Sequence, residues 1–367
     1  MQRVGGVSRY FAELMRRDAS SFCSVRYSDN AHLLSLPGVA DKVLEPEHYL
    51  NRFLGGIRFK GKRTLFRSLC AVSGSDKRES NEDVSLKTIS DRNYDLFHPT
   101  YYNPYFLEAL GEKPFVLTVH DMIHELYPEL FPLDDPVKEW KRELVSKASR
   151  IIAVSECTKR DLCEIFSVNP GNVRVIYHGS SLCIGAELPR GLPERYILYT
   201  GTRRGYKNFY FCAQSLAEVL RDRADLYLVC AGPLFAQDEL SFLASLGIAD
   251  KVVIVEVAED QLSHLYNRAV CFIFPSFYEG FGIPILEAFE AGCPAVIAKA
   301  SCFPEVAGDA AVYFDPKSRS ELVGAIVEIL DHESLRKEMA DRGRERIKDF
   351  SWDITAARTR ECYRELT

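Results

Sequence analysis

Two glutamates, Glu279 and Glu287, flank a glycine-rich turn between a predicted buried strand and a predicted helix. The turn contains Gly280 and Gly282, and glycines allow backbone N–H groups to approach a ligand closely. The N-terminus of the helix that follows favours an anion such as phosphate. We therefore predict an anion-binding turn with a carboxylate on either side. The plainer alternative is that Glu279 stabilises the turn and Glu287 faces solvent.

A second loop concentrates positive charge. Arg203, Arg204 and Lys207 follow a predicted strand, Ile197–Tyr199, in a loop that also contains glycines. Fixed cations stabilise the negative charge that develops on a departing phosphate. Arginine binds phosphate oxygens in pairs, whereas lysine acts as a point charge. The loop is predicted to bind phosphate; the alternative is a solvated basic loop.

The sequence HDMIH places His120 and His124 four residues apart and resembles the H-E-x-x-H zinc helix. That motif requires a helix, but this segment follows the predicted strand Phe115–Val119 and is expected to be a loop. It also lacks an evident further ligand nearby. We predict no metal site here and assign Asp121 to orienting the loop.

Short apolar runs alternate with amphipathic stretches along most of the chain. Runs that are apolar throughout are typical of strands covered on both faces, as in parallel sheets. The predicted strands include Phe115–Val119, Ile151–Val154, Val173–Ile176, Ile197–Tyr199, Leu226–Cys230, Val252–Val255, Cys271–Phe274 and Ala295–Ile297. The alternation predicts an α/β protein. A Gly/Pro/Ser-rich stretch near 179–196 suggests domains at 1–182 and 183–350, followed by a tail helix, 351–367.

Composition excludes several classes of protein. The chain has 367 residues and a net charge of −6, so no global basic field favours nucleic acid. Its 11 cysteines form no C-x-x-C pair and are expected to be reduced structural thiols. No membrane-spanning apolar run and no signal peptide are evident. A cytoplasmic location is expected.

Two neighbouring segments, 51–70 and 73–93, differ in their predicted properties. Residues 51–70 contain six basic residues, no acidic residue and interleaved apolar side chains. Such a surface can lie on anionic lipid headgroups at the inner face of the membrane; a helix with a solvated basic face is the alternative. The polar segment Ser73–Asn93 is predicted to be a mobile loop.

In the types of its motifs and their order along the sequence, the chain resembles the retaining, nucleotide-sugar-dependent glycosyltransferases of family 4, which have the GT-B fold. The matching segments are EGFGIPILE at 279–287 (the E-x7-E motif), GGVSRYF at 5–11, FHPTYYNPYF at 97–106, VLTVHDMIHELYP at 116–128, IIAVSECTKRDL at 151–162, LYTGTRRGYKNF at 198–209 and FPEVAGDAAVYFDP at 303–316. Tyr206 stands where many relatives have arginine, so the arginine role falls to Arg203. The resemblance implies two Rossmann-like domains that face each other across a cleft, with the tail helix, 351–367, crossing back to the first domain.

The resemblance also implies roles for individual residues. Glu279 faces the donor hexose and Glu287 the ribose of the nucleotide, since a carboxylate can accept two hydroxyl hydrogen bonds. Arg203 and Lys207 contact the diphosphate. His120 contacts a hydroxyl of the donor sugar.

Two glycine-containing turns are assigned to the nucleotide in the same way. Gly280, Phe281 and Gly282 form the nucleotide-binding turn. Gly5 and Gly6 close over the diphosphate and the acceptor edge.

The implied activity is retaining transfer of a hexose from a nucleotide sugar to a glycan or lipid-linked saccharide in polysaccharide biosynthesis. Bacterial mannosyltransferase-like enzymes are the nearest likeness, so GDP-mannose is the first candidate donor. The donor is a substrate, and no metal or other cofactor is expected. The alternative is a catalytically silent nucleotide-sugar-binding protein of the same fold. A glycoside hydrolase would leave the anion-binding turn without a role.

Family members usually begin with a buried strand that leads into the first glycine-rich loop. Here Met1 lies only four residues before Gly5. The N-terminal domain is therefore expected to lack its first strand, and a truncated start is the favoured explanation.

Overall fold

The computed structural model describes residues 5–18, 22, 31–34, 36, 81–182, 191–203, 205–256 and 259–367. The chain divides into two compact units. The first contains Met1–Thr118, Pro136–Ile152 and Ala356–Thr367, and the second contains Val119–Asp135 and Ala153–Thr355. The predicted domain boundaries, after residues 182 and 350, stay a prediction. The basic segment 51–70 and the residues before Gly5 lie outside the described residues, as do the expectations that concern them.

The strands of the described residues form two sheets. Their bounds are β1 Val116–Val119, β2 Arg150–Ala153, β3 Val173–Val175, β4 Arg195–Thr200, β5 Leu226–Ala231, β6 Val252–Val255, β7 Cys271–Phe274, β8 Ala295–Ala298 and β9 Ala311–Phe314. One sheet has the order β1-β2-β3, and the other has the order β6-β5-β4-β7-β8-β9.

The helices of the described residues alternate with the strands over most of the second unit. Their bounds are α1 Gly6–Arg17, α2 Ala31–Leu34, α3 Asn81–Ser90, α4 Leu107–Leu110, α5 Ile123–Leu126, α6 Val137–Lys147, α7 Glu156–Phe166, α8 Phe209–Asp222, α9 Gln237–Ser245, α10 Glu259–Arg268, α11 Ile283–Glu290, α12 Phe303–Ala307, α13 Arg319–Asp331, α14 Glu333–Arg346 and α15 Trp352–Arg364. Short 3₁₀ turns lie at Pro104–Phe106, Pro128–Leu130, Pro170–Asn172, Gly205–Lys207, Ala249–Lys251 and Ile347–Asp349. None of the helices in this part of the chain combines the length and the apolar character that crossing a bilayer requires.

The six-stranded sheet of the second unit is parallel throughout. Each residue of β7 and of β8 is buried, which explains why these strands are apolar without alternation. β4 lies in the middle and pairs with β5 on one side and with β7 on the other. In the second pairing Ile197 lies opposite Cys271, so the loops after β4 and β7 leave the same edge of the sheet.

Helix α1 is anchored in the first unit by one buried face. The Tyr10 hydroxyl lies 3.2 Å from the Thr118 hydroxyl at the end of β1. Ala12 and Met15 pack against Leu33 and against Leu36, both buried. This packing supports the helix that begins at the predicted Gly5–Gly6 turn.

The prediction of a loop over Ser73–Asn93 was wrong where the structure describes it, because Asn81–Ser90 forms α3. Glu82 and Asp83 lie in its first turn, where acidic side chains favour a helix N-terminus, and Ile89 is buried. The sequence reading also missed strand β9.

Candidate functional site

The order of the six-stranded sheet defines where a ligand is expected. The chain moves outward from β4 to β5 and β6, then returns to β7 on the other side of β4. Neighbouring strands whose connections run in opposite directions leave a crevice at their carboxyl ends, where open α/β sheets bind ligands. The loops that leave this crevice are 201–208 after β4 and 275–282 after β7.

These two loops bring together two residues that are 72 positions apart. The Lys207 ammonium donates a hydrogen bond to Glu279 Oε1 at 2.5 Å, and the two side chains are only 16% and 14% exposed. The Ser276 hydroxyl donates to the same carboxylate oxygen at 3.0 Å. The two loops that were predicted separately therefore form one charged site.

Asn208 ties the two loops together, and the sequence analysis did not single it out. Its backbone is left-handed, with φ 56°, a conformation that asparagine tolerates better than most residues. Its buried amide donates to the carbonyls of Pro275 (3.1 Å) and Pro316 (3.0 Å). Phe277 N–H also donates to the Tyr206 carbonyl at 2.8 Å. An asparagine directly before a helix was the available signal.

In the turn after β7, the backbone carbonyl oxygens of residues 279–281 accept hydrogen bonds from side chains that pack against the turn. The donors are the Ser301 hydroxyl to Glu279 O (2.6 Å), the Ser155 hydroxyl to Gly280 O (2.7 Å), the Thr158 hydroxyl to Gly280 O (3.1 Å) and the Cys302 thiol to Phe281 O (3.1 Å). Ser155 also caps α7 by accepting from Thr158 N–H at 3.0 Å.

The engaged carbonyls fix the direction of the N–H groups. In a trans peptide the N–H points opposite to the C=O of the same plane. The N–H groups of Gly280, Phe281 and Gly282 therefore point away from these side-chain donors. Among the described residues these three groups have no protein acceptor. A row of unpaired backbone N–H groups at the start of α11 is an anion-binding arrangement.

Gly280 is required by a close approach. An ideal Cβ at this position would lie 1.6 Å from the carbonyl oxygen of His120. Gly282 precedes α11 in a left-handed conformation, with φ 92°. The Phe281 ring is buried and packs edge-to-face against His178 at 5.0 Å. Only the backbone of Phe281 is therefore placed to serve the predicted nucleotide-binding turn.

His120 lies at the same turn through its backbone and is half-buried. Its ring stacks on that of His178, with centroids 6.2 Å apart. Burial lowers the pKa of His178 well below its usual value, and the neighbouring His120 lowers it further. Asp121 Oδ1 accepts from Ile123 N–H at 3.0 Å, which fits its predicted role in orienting the loop.

Glu287 lies in the second turn of α11 and is 6% exposed. Its Oε2 accepts a hydrogen bond from the Tyr266 hydroxyl at 3.2 Å. Burial raises the pKa of Tyr266 well above its usual value, and the negative charge of Glu287 contributes. The second motif glutamate is therefore held inside the protein and does not face solvent.

Arg203 is placed differently from its predicted neighbour Lys207. Its guanidinium donates to both carboxylate oxygens of Glu239 (3.0 Å each) and to the Leu234 carbonyl (3.0 Å). It also lies over the Phe235 ring at 4.6 Å and is 4% exposed. The predicted contact with a diphosphate stays a prediction. Nε and Nη2 of Arg203 are engaged by Glu239 and Leu234, whereas Nη1 has no hydrogen-bond partner among the described residues.

Three further predictions concern residues outside this cluster. Gly5 and Gly6 begin α1 in the first unit, where the Gly5 carbonyl accepts from Arg9 N–H at 3.0 Å. Arg204 lies outside the described residues. His124 stacks on Phe131 at 3.8 Å. Within the described ranges no group of three or more His, Cys, Asp or Glu side chains is arranged to hold a metal ion.

Two family models match consecutive parts of the chain. The model described as Glycosyltransferase Family 4 matches residues 4–182, and the model described as Glycosyl transferases group 1 matches residues 186–346. The chain belongs to the family 4 glycosyltransferases. The second match contains the whole β4–β7 crevice of this glycosyltransferase, and the first contains Gly5, Gly6 and His120.

Two relatives of this glycosyltransferase have different names, one a mannosyltransferase and the other a D-inositol 3-phosphate glycosyltransferase. It is 28% identical over 291 residues to O-antigen chain mannosyltransferase B of Escherichia coli, covering 74% of each chain. It is 26% identical over 405 aligned positions to D-inositol 3-phosphate glycosyltransferase of Salinispora tropica, and the alignment covers 99% of this chain and 81% of the relative.

A solved structure with the same fold is Anabaena Alr3699/HepE in complex with UDP-glucose. The TM-score is 0.70 at 16% identity, over 100% of this chain and 97% of the other. This likeness shows the fold alone. The glycosyltransferase therefore has the GT-B fold, as predicted.

Proposed function

We propose that this glycosyltransferase transfers a hexose with retention of anomeric configuration from a nucleotide sugar to a glycan or lipid-linked saccharide in polysaccharide biosynthesis. GDP-mannose is the first candidate donor. The observation that carries the proposal is the meeting of Lys207, Glu279 and the N–H row of 280–282 at the carboxyl edge of β4 and β7.

Each group at this edge has a distinct proposed task. The N–H row and Lys207 bind the diphosphate, because both present positive charge in surroundings from which water is largely excluded. Glu279 accepts hydrogen bonds from hydroxyls of the hexose, and Glu287 accepts them from the ribose. His120, whose backbone touches Gly280, contacts a hydroxyl of the donor sugar.

The proposed reaction exchanges one C–O bond for another. The bond between the anomeric carbon and the diphosphate oxygen breaks, and the acceptor hydroxyl forms a bond to that carbon on the same face. The hydroxyl proton passes to the departing phosphate oxygen. Lys207 and the N–H row stabilise the charge that develops on this leaving group, so the proposal assigns no metal to the step.

The proposal also names a specific donor. Mannose is supported by the name of the Escherichia coli relative, while the Anabaena structure is described as a complex with UDP-glucose. The acceptor side is assigned to the first unit, near Gly5 and Gly6. A cytoplasmic location, with peripheral membrane contact through residues 51–70, belongs to the same proposal.

The test is to incubate the full chain with GDP-mannose or UDP-glucose and saccharide acceptors, with and without EDTA. Release of GDP or UDP is measured, and the anomeric configuration of the product is determined by NMR. The proposal expects release from one donor, unaffected by EDTA, and a product with the anomeric configuration of the donor. Thermal stabilisation by free nucleotides without turnover on any acceptor would instead support a silent nucleotide-sugar-binding protein.

A further inference from the structure

A buried tyrosine connects the end of β4 to the second motif glutamate. Tyr266, on α10, is 0% exposed, and its ring packs edge-to-face on Phe272 at 5.2 Å. Its hydroxyl donates to Glu287 Oε2 at 3.2 Å and lies 3.3 Å from the Thr200 hydroxyl. Three elements, β4, α10 and α11, therefore meet at one hydroxyl.

The direction of these two hydrogen bonds follows from the Glu287 carboxylate, which lies at one end of the series. An ionised carboxylate only accepts, so Tyr266 gives its single proton to Glu287. The Thr200 hydroxyl must then donate to the Tyr266 oxygen. Consecutive hydrogen bonds of this kind polarise and strengthen one another in a low-dielectric interior. These two hydrogen bonds hold the Glu287 carboxylate from the side of α10 and β4.

We propose that Tyr266 is a positioning residue that holds the Glu287 carboxylate in the rotamer that binds the ribose diol of the donor nucleotide. This inference rests on the proposed function, because the ribose contact of Glu287 belongs to it. Two neighbouring hydroxyls can bind one carboxylate together only if its plane is correctly turned. Tyr266 thereby acts on recognition of the ribose and not on the leaving diphosphate.

The phenylalanine variant isolates the hydroxyl. Tyr266→Phe keeps the buried ring and its packing on Phe272 but removes the hydrogen bond that orients Glu287. Because the ribose contact is made both in the bound donor and in the transition state, its weakening raises KM and leaves kcat nearly unchanged. Thr200→Val removes only the upstream donor and is expected to have a smaller effect in the same direction.

A matched control lies on the same strand as Thr200, four residues earlier. Tyr196, on β4, is also 0% exposed, and its hydroxyl donates to the Leu265 carbonyl at 2.8 Å. Tyr196→Phe therefore removes a hydrogen bond of a buried tyrosine without touching Glu287. It controls for the loss of stability that follows from such a substitution.

The experiment measures the affinities of GDP, UDP and their 2′,3′-dideoxy analogues by calorimetry, with melting temperatures recorded for every variant. Tyr266→Phe should weaken binding of the ribonucleotide by about fivefold to tenfold, because a misoriented Glu287 carboxylate loses part of its hydrogen bonding to the ribose; full loss of one hydrogen bond to a charged group would exceed about tenfold. Binding of the dideoxy analogue should not change. Tyr196→Phe should alter neither affinity.

The outcomes separate the two levels of inference. If wild-type protein binds ribo and dideoxy nucleotides equally, the ribose contact of Glu287 is wrong and the role of Tyr266 is overturned with it. If the wild type discriminates but Tyr266→Phe discriminates equally well, only the positioning role is overturned. An equal loss of affinity for both nucleotides would mean that the hydroxyl is merely structural.

Discussion

Replacing Lys207 by methionine removes the cation of the Lys207–Glu279 pair but keeps a side chain of similar length. Both side chains are more than four-fifths buried, so the ammonium acts on a leaving phosphate in surroundings of low dielectric. Removal of one preorganised charge-stabilising contact typically costs about 3 kcal/mol of transition-state stabilisation. We expect kcat to fall about 10²-fold at saturating donor.

The same substitution has a second consequence that can be measured independently. Glu279 would keep only the Ser276 hydroxyl among the side-chain partners described above for its carboxylate. Leaving a buried charge without its counter-ion lowers the free energy of unfolding by up to about 3 kcal/mol. Adding Glu279→Gln should restore much of that stability, because no uncompensated charge remains, but should not restore activity.

The assay combines nucleotide release at saturating donor with chemical denaturation of the single and double variants. Lys251→Met is the matched control, because Lys251 donates to the Ala224 carbonyl at 2.6 Å and lies before β6, at the amino end of the sheet. It should leave kcat unchanged. A Lys207→Met enzyme with near-wild-type kcat would refute the assignment of this pair to the leaving group.

Three further outcomes are expected. Glu287→Ala should lower kcat/KM by about 100-fold through loss of a charged hydrogen-bonding contact, measured by steady-state kinetics. Gly280→Ala should abolish nucleotide binding in calorimetry, because its Cβ would lie 1.6 Å from a carbonyl oxygen, while Gly324→Ala, with open space, should stabilise its helix by up to about 1 kcal/mol. The lowered pKa of His178 means that the unfolded chain binds a proton that the native chain does not. The free energy of unfolding, measured by denaturant titration, should thus fall by about 1.2 kcal/mol between pH 7 and pH 5.5. This decrease should be absent in His178→Asn and should remain in the control variant His332→Gln.

Much of the second unit could be predicted from the sequence because its strands are short, apolar throughout and separated by amphipathic helices. β7 was predicted with its exact bounds, since Cys271–Phe274 is buried at every position. β9 was missed because two of its four residues, Val312 and Tyr313, are only half-buried and the run is short. α3 was missed because its weakly periodic, polar sequence resembles a loop.

The candidate site shows the same division between local and long-range information. The glycine turn and the Lys207 loop were predictable, because their residue types carry the chemistry. The pairing of Arg203 with Glu239 was not, because Glu239 lies 36 residues away and looks like an ordinary acidic residue in the first turn of a helix. The hydroxyl of Tyr266 was equally hidden, since only the fold brings α10 beside Glu287.

The most direct test of the site is whether it recognises the diphosphate. Calorimetry in EDTA should compare GDP and UDP with guanosine and uridine, for the wild type and for Lys207→Met. We predict that the wild type binds one diphosphate at least about tenfold more tightly than its nucleoside, through charge-assisted hydrogen bonds, and that Lys207→Met loses most of this preference. Equal binding of nucleoside and diphosphate, or a preference that Lys207→Met retains in full, would contradict it.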